Sequence, residues 1–210
     1  VVGSPRAEQW TEVQEMERVV AVLGAQHEGG AYTPMLTEMV DVICLPEPAD
    51  LRAAANTDAP CVTVGLPQPP PGAPPEYDED PRTNRIHAAL AASEDLPDPD
   101  SVAVVAGAGS SVAARAAAAW RDGLPVVALV DGPVPQLFRE SRGALVADTT
   151  LLAYECADVL SRGAPLRRAL ARRGGRALGL MPSTQEVAAR ILEAMVLASA
   201  GHRRTQFISA

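Results

Sequence analysis

From Val102 onward the chain alternates strand, turn and helix, and that alternation restricts its fold more than any other feature. Val102 to Ala106 is apolar and β-branched enough for a buried strand. Gly107-Ala108-Gly109 then turns the chain into a helix from Ser111 to Arg121. Gly123-Leu124-Pro125 opens a second strand, Val126 to Val130. A short helix near Pro135 to Glu140, a strand from Ala144 to Ala147 and a helix from Thr150 to Leu160 follow. Two more helices are read at Leu166 to Leu178 and Thr184 to Leu197, the latter opened by Pro182-Ser183-Thr184 with Glu186, a capping signal. Strands separated by helices pair in parallel through right-handed crossovers. The expectation for residues 101–200 is therefore an α/β, Rossmann-like three-layer sandwich with a mostly parallel sheet. Residues 201–210 read as a polar, frayed tail.

Upstream the signals are sparser. Pro5 to Leu23 has helical spacing of Val13, Met16, Val19, Val20 and Leu23, although Val19 to Leu23 also reads as a strand. Gly24, Gly29 and Gly30 mark a loop. Met39 to Leu45 and Cys61 to Leu66 are strand candidates, with a short helix at Leu51 to Ala55 between them. Residues 1–66 thus form an N-terminal α/β segment. Residues 67–100 read as an acidic, proline-rich linker, connector or lid, with a short helix at Asn84 to Ser93.

Composition narrows the function. The chain has 210 residues, 47% of them apolar and only 3% aromatic, so its core is Val, Leu and Ala. Its net charge of −8 argues against nucleic acid as a partner. All 18 basic residues are arginine. The absence of lysine excludes a P-loop lysine, a Schiff base and pyridoxal-phosphate chemistry. Arg162, Arg167, Arg168, Arg172, Arg173 and Arg176 form a local basic cluster, which suits either an anionic partner or a solvated helix face. Cys44, Cys61 and Cys156 have no paired spacing, and Cys44 and Cys61 fall in apolar runs. They read as reduced core thiols of a cytoplasmic protein. No apolar run approaches the roughly 20 residues of a membrane span, and no signal-peptide pattern is legible. The chain begins at Val1 rather than Met, as a fragment or processed product would. The apolar helices of the C-terminal half offer a surface for a homo-oligomer.

Ligands of open α/β sheets bind at the carboxyl ends of the strands. The candidate anion site is accordingly the first glycine turn, Gly107, Gly109, Ser110 and Ser111, with Arg115 one turn into the helix. Asp131 and Gly132, at the end of the next strand, are the second candidates. Each has a structural alternative: packing for the glycines, helix capping for the serines, solvent for Arg115 and a plain turn for Asp131-Gly132. No catalytic constellation is legible. His27 beside Glu28 is an acid–base pair or an exposed loop histidine, and His87 and His202 have no evident partner. The scattered His and Cys lack metal-ligand spacing, so neither a metal nor a cofactor is expected.

The stretch from Asp100 to Met195 resembles the donor-binding domain of GT-B glycosyltransferases of the family 4 retaining type. The resemblance rests on Gly123-Leu124-Pro125-Val126-Val127-Ala128, on Asp131-Gly132-Pro133-Val134-Pro135-Gln136-Leu137 and on Gly143-Ala144-Leu145-Val146. Leu151-Leu152-Ala153 and Leu166-Arg167…Leu170…Gly175-Arg176 continue it in order. It implies transfer of a sugar from a UDP- or GDP-type nucleotide-sugar donor without a required metal. The family carries two glutamates eight positions apart that engage the donor; here Ser110 and Ala118 stand in those places, and Gln136 replaces a third glutamate. Loss of these groups leaves a non-catalytic binding or assembly module as the alternative.

A second resemblance is to the carboxyaminoimidazole ribonucleotide mutase family. Gly3-Ser4, Glu28…Thr33-Pro34 and Val104-Val105-Ala106-Gly107-Ala108-Gly109 are similar to its motifs. Pro5-Arg6 stands where that family has Ser-Asp, and its His and Arg are missing before Thr33-Pro34.

Overall fold

The computed structural model describes residues 20–22, 42–48, 50, 59–70, 80–92 and 102–208. Its strands are β1 (Val20–Val22), β2 (Val42–Leu45), β3 (Cys61–Thr63), β4 (Ala103–Gly107), β5 (Val126–Val130) and β6 (Ala144–Ala147). Its helices are α1 (Pro81–Ala91), α2 (Gly109–Arg121), α3 (Gln136–Ser141), α4 (Thr150–Arg162), α5 (Ala164–Leu178) and α6 (Thr184–Ile208). The chain is α/β, with parallel sheets flanked by helices in a Rossmann-like, three-layer arrangement. It divides into two compact units, Val1–Pro67 with Pro182–Ala210, and Gln68–Met181.

In the first unit β1, β2 and β3 pair in parallel in that order. Val42, Cys44 and Val64 pack against Val187, Ile191 and Ala194 of α6. The capping signal forms as read: the Ser183 amide donates to Glu186 Oε2 at 2.6 Å and the Glu186 amide to Ser183 Oγ at 3.2 Å. No proline follows Pro182, and α6 continues to Ile208, into the stretch expected to fray. Residues 20–22 take the strand alternative; the rest of the helix read at Pro5 to Leu23 lies outside the described residues. So do the loop at Gly24 to Gly30 and the helix at Leu51 to Ala55.

In the second unit the order is β4, β5, β6, again all parallel. Every residue of β4 and β5 is buried. On one face Val104, Ala106, Val127 and Leu129 pack against Ile86 and Leu90 of α1 and against Ala153, Ala157 and Leu160 of α4. Successive strand residues point to opposite faces, so Val105 and Ala128 face the other way, where α2 packs on β4 and β5. α2 buries Val112, Ala113, Ala116, Ala117 and Trp120. Its alanines let the helix sit close to the sheet.

The helix expected at Asn84 to Ser93 begins three residues earlier, at Pro81. Asp80 caps it, its Oδ1 accepting from the Arg82 amide at 2.7 Å, and proline fits the first helical position. Leu90 is fully buried, so α1 is core structure of this unit. A second difference concerns Cys61, expected in the core and found exposed. Among the described residues β3 is the last strand of this sheet, and Cys61 and Thr63 lie on its exposed side.

The tightest packing surrounds Trp120. Its indole N–H donates to the Gly143 carbonyl at 3.2 Å, and its ring meets Phe138 edge-on at 6.0 Å between centroids. A Cβ at Gly174 would lie 2.2 Å from Trp120 Cδ1, so only glycine fits there. Gly143 is bound in the same way, with Gly174 Cα 3.0 Å from its own missing Cβ. Gly174→Ala must push α5 off the indole. The expected loss of stability is about 1–3 kcal/mol, the usual cost of overpacking a filled core, read as a lower urea midpoint. An unchanged midpoint refutes this contact.

Candidate functional site

Parallel strands end on the same side of their sheet. The register pairs Gly107 with Val130, so β4 and β5 end together. The Asp131 amide donates to the Gly107 carbonyl at 2.9 Å, closing the two ends on each other. The first glycine turn and Asp131-Gly132 are thereby brought together, although 24 residues separate Gly107 from Asp131 in sequence. Gly107 has φ +139°, a backbone conformation that L side chains rarely adopt. A Cβ there would also stand 2.9 Å from Arg115 Nη1 and 3.2 Å from Ser111 Oγ.

α2 starts at Gly109, with Ala108 as its extended N-cap and no side-chain capping bond. Capping of this helix is the structural alternative read for the serines. They fall inside it instead, because the helix opens at Gly109 and a capping hydroxyl must precede the first helical residue. Both are buried. The Ser111 amide turns back to the Ala108 carbonyl at 3.2 Å, and Ser111 Oγ is buried without a hydrogen-bond partner. Arg115 Nη1 donates to the Ala106 carbonyl, so this half-buried guanidinium braces the end of β4.

Two residues of the 67–100 segment, Arg82 and Asp80, join these strand ends. Arg82 of α1 grips Asp131 with both arms, Nη1 to Oδ1 and Nη2 to Oδ2, each at 2.8 Å. It also holds Asp80, with Nη2 at 2.6 Å from Oδ2 and Nε at 3.0 Å from Oδ1. Arg82 is thereby kept firmly in its charged form, chiefly by its bonds to Asp80 and then by those to Asp131. The same bonds hold the Asp80 carboxyl below its ordinary range, with a smaller pull from the charge of Arg115. Asp80-Pro81 was the local signal for this helix start; the reach from Arg82 to Asp131 had no local signal.

Two arginines and two aspartates thus surround the strand ends. Asp131 is the most open of them, its side chain half exposed at 50%. A planar, bidentate carboxylate on Arg82 occupies the geometry that a phosphate would take. At the other positions Ala118 is partly buried and carries no polar group, and Gln136 is exposed and donates to Glu140. His87 is half-buried on α1; His27 and Glu28, and the side chain of His202, lie outside the described residues. Among the described residues no group of three His, Cys, Asp or Glu could hold a metal ion. Comparison with family profiles, with curated proteins and with solved structures found no significant match.

Because its folded pKa is depressed, Asp80 stabilises the fold above its ordinary value of 3.8, and the contribution is lost as pH falls through the lower, folded value. Asp80→Asn keeps a capping oxygen and removes the charge. At pH 7 it should lower stability by about 1 kcal/mol or less, as partly exposed pairs do. In urea titrations the gap to the parent protein should narrow steadily as pH falls below 3.8; a gap independent of pH refutes the pairing. Ser111→Ala removes a buried, unpartnered hydroxyl and should leave stability unchanged or raise it by about 1 kcal/mol. A clear loss would mean that the hydroxyl is bonded in the native protein.

Proposed function

We propose that the protein is glycosyltransferase-like and that residues 68–181 act as a donor-type domain. In this reading the diphosphate of a nucleotide-sugar lies at the turn of Gly107, Gly109, Ser110 and Ser111, against Arg82, Arg115, Asp131 and Gly132. The observation that carries it is the Arg82–Asp131 pair beside the uncapped start of α2. The positive end of the helix favours an anion there. An arriving diphosphate takes Arg82 from the half-exposed Asp131 and satisfies the same fork. With no lysine in the chain, arginine and backbone N–H groups would stabilise the leaving diphosphate. The resemblance supports a UDP- or GDP-type donor. Three free thiols accord with work in the cytoplasm.

A second reading, a non-catalytic nucleotide-binding or assembly module, is favoured by the residues at the family's glutamate positions. Ser110, Ala118 and Gln136 supply no carboxylate there.

Calorimetric titration with UDP, GDP and their glucose and mannose conjugates tests both. Micromolar binding is expected. Arg82→Gln and Gly109→Val should abolish it, and Asp131→Asn should strengthen it several-fold by removing the internal competitor. Binding without sugar transfer selects the module. Absence of binding by every nucleotide refutes the donor site.

A further inference from the structure

A strongly basic surface lies outside this site. α5 carries five arginines and no acidic residue in its 15 positions. Arg168, Arg172, Arg173 and Arg176 are exposed, and none of them has an ion pair or hydrogen bond to another described residue. The arginines at 162 and 167 differ, since the first pairs with Asp158 and the second donates to the Ser161 carbonyl. Leu170, Gly174 and Ala177 take the inner side of α5, which leaves the cationic side facing solvent.

Exposed leucines bracket that side. Leu166 is 44% exposed and Leu180 is 72% exposed. At 3.6 residues per turn, positions 166 and 173 stack on one line, with 176 beside them. Leu180 follows in the turn at the helix end, its amide bonded back to the Ala177 carbonyl at 3.0 Å.

We propose that the outer face of α5 docks on an anionic phospholipid surface. The arginine forks engage lipid phosphates, and Leu166 and Leu180 dip into the boundary between headgroups and acyl chains. The protein then lies on the bilayer without crossing it; among the described residues no helix is long and apolar enough to span one. Charge complementarity gives the sign of the partner, and the leucines decide its class. A lipid surface rewards exposed leucine, whereas a nucleic-acid backbone does not, and the face offers no aromatic ring for a base to stack on. The concentration of charge is marked. Outside residues 162–176, twelve arginines stand against 26 acids, a balance of −14. This proposal is independent of the nucleotide site.

The test is co-sedimentation of the full chain with phosphatidylcholine vesicles, with and without about a third phosphatidylglycerol. Binding is expected only with the anionic lipid and should fade at high salt, where exposed charges are screened. Combined Arg172→Gln, Arg173→Gln and Arg176→Gln should lower the partition coefficient about 100-fold, at about fivefold for each arginine. Combined Leu166→Ser and Leu180→Ser should weaken binding while leaving the charge intact. Circular dichroism should show all variants folded, since every altered side chain is exposed. Failure to bind anionic vesicles overturns the proposal. So does binding that ignores the arginine variant, or tighter binding to an oligonucleotide that is indifferent to the leucines.

Discussion

Burial of β4 and β5 on both faces is the constraint from which the rest of the 68–181 unit follows. A parallel strand with no wet side must be covered twice. α2 covers one face and α1 with α4 covers the other. The need for a second cover draws in α1 from a stretch whose composition otherwise belongs to a loop. Once α1 is seated by Ile86 and Leu90, Arg82 is carried to the ends of the strands. The electrostatics of the candidate site are therefore a by-product of how the sheet is covered.

The sequence made some of this legible and hid the rest for identifiable reasons. β5 and β6 have the bounds read from the chain, because a glycine before each and an apolar run within it are local signals. The Ser183–Glu186 box is local too, its partners three positions apart. α1 starts three residues before the helix legible in the sequence, because the prolines before it mask Asp80-Pro81 as a helix start. The Arg82–Asp131 pair joins residues 49 apart, and only the folded sheet brings them together. Ser110 and Ser111 were the right residue types for a cap, but the helix opens one residue before them. Whether Cys61 is buried depends on which side of β3 is covered, and no local pattern shows that.

The same side chain serves two opposite ends in this protein. At the strand ends Arg82 is bonded to both Asp80 and Asp131, so its charge is answered within the unit. Along α5 the arginines have no acids on their own helix to answer them. The first arrangement fixes the direction of a single guanidinium. The second spreads charge over an area. In a chain without lysine both settings use a guanidinium, whose planar fork binds bidentately and whose charge persists at any physiological pH.

Trp120 is one of two tryptophans in the chain. Its indole lies against the bare backbone of Gly174 and donates to Gly143, so it touches both α5 and the start of β6. Indole emission shifts to the red when the ring meets water. The protein therefore carries a built-in optical reporter at the junction of α2, α5 and β6, one that signals when α5 lifts from the body of the unit without any label being attached.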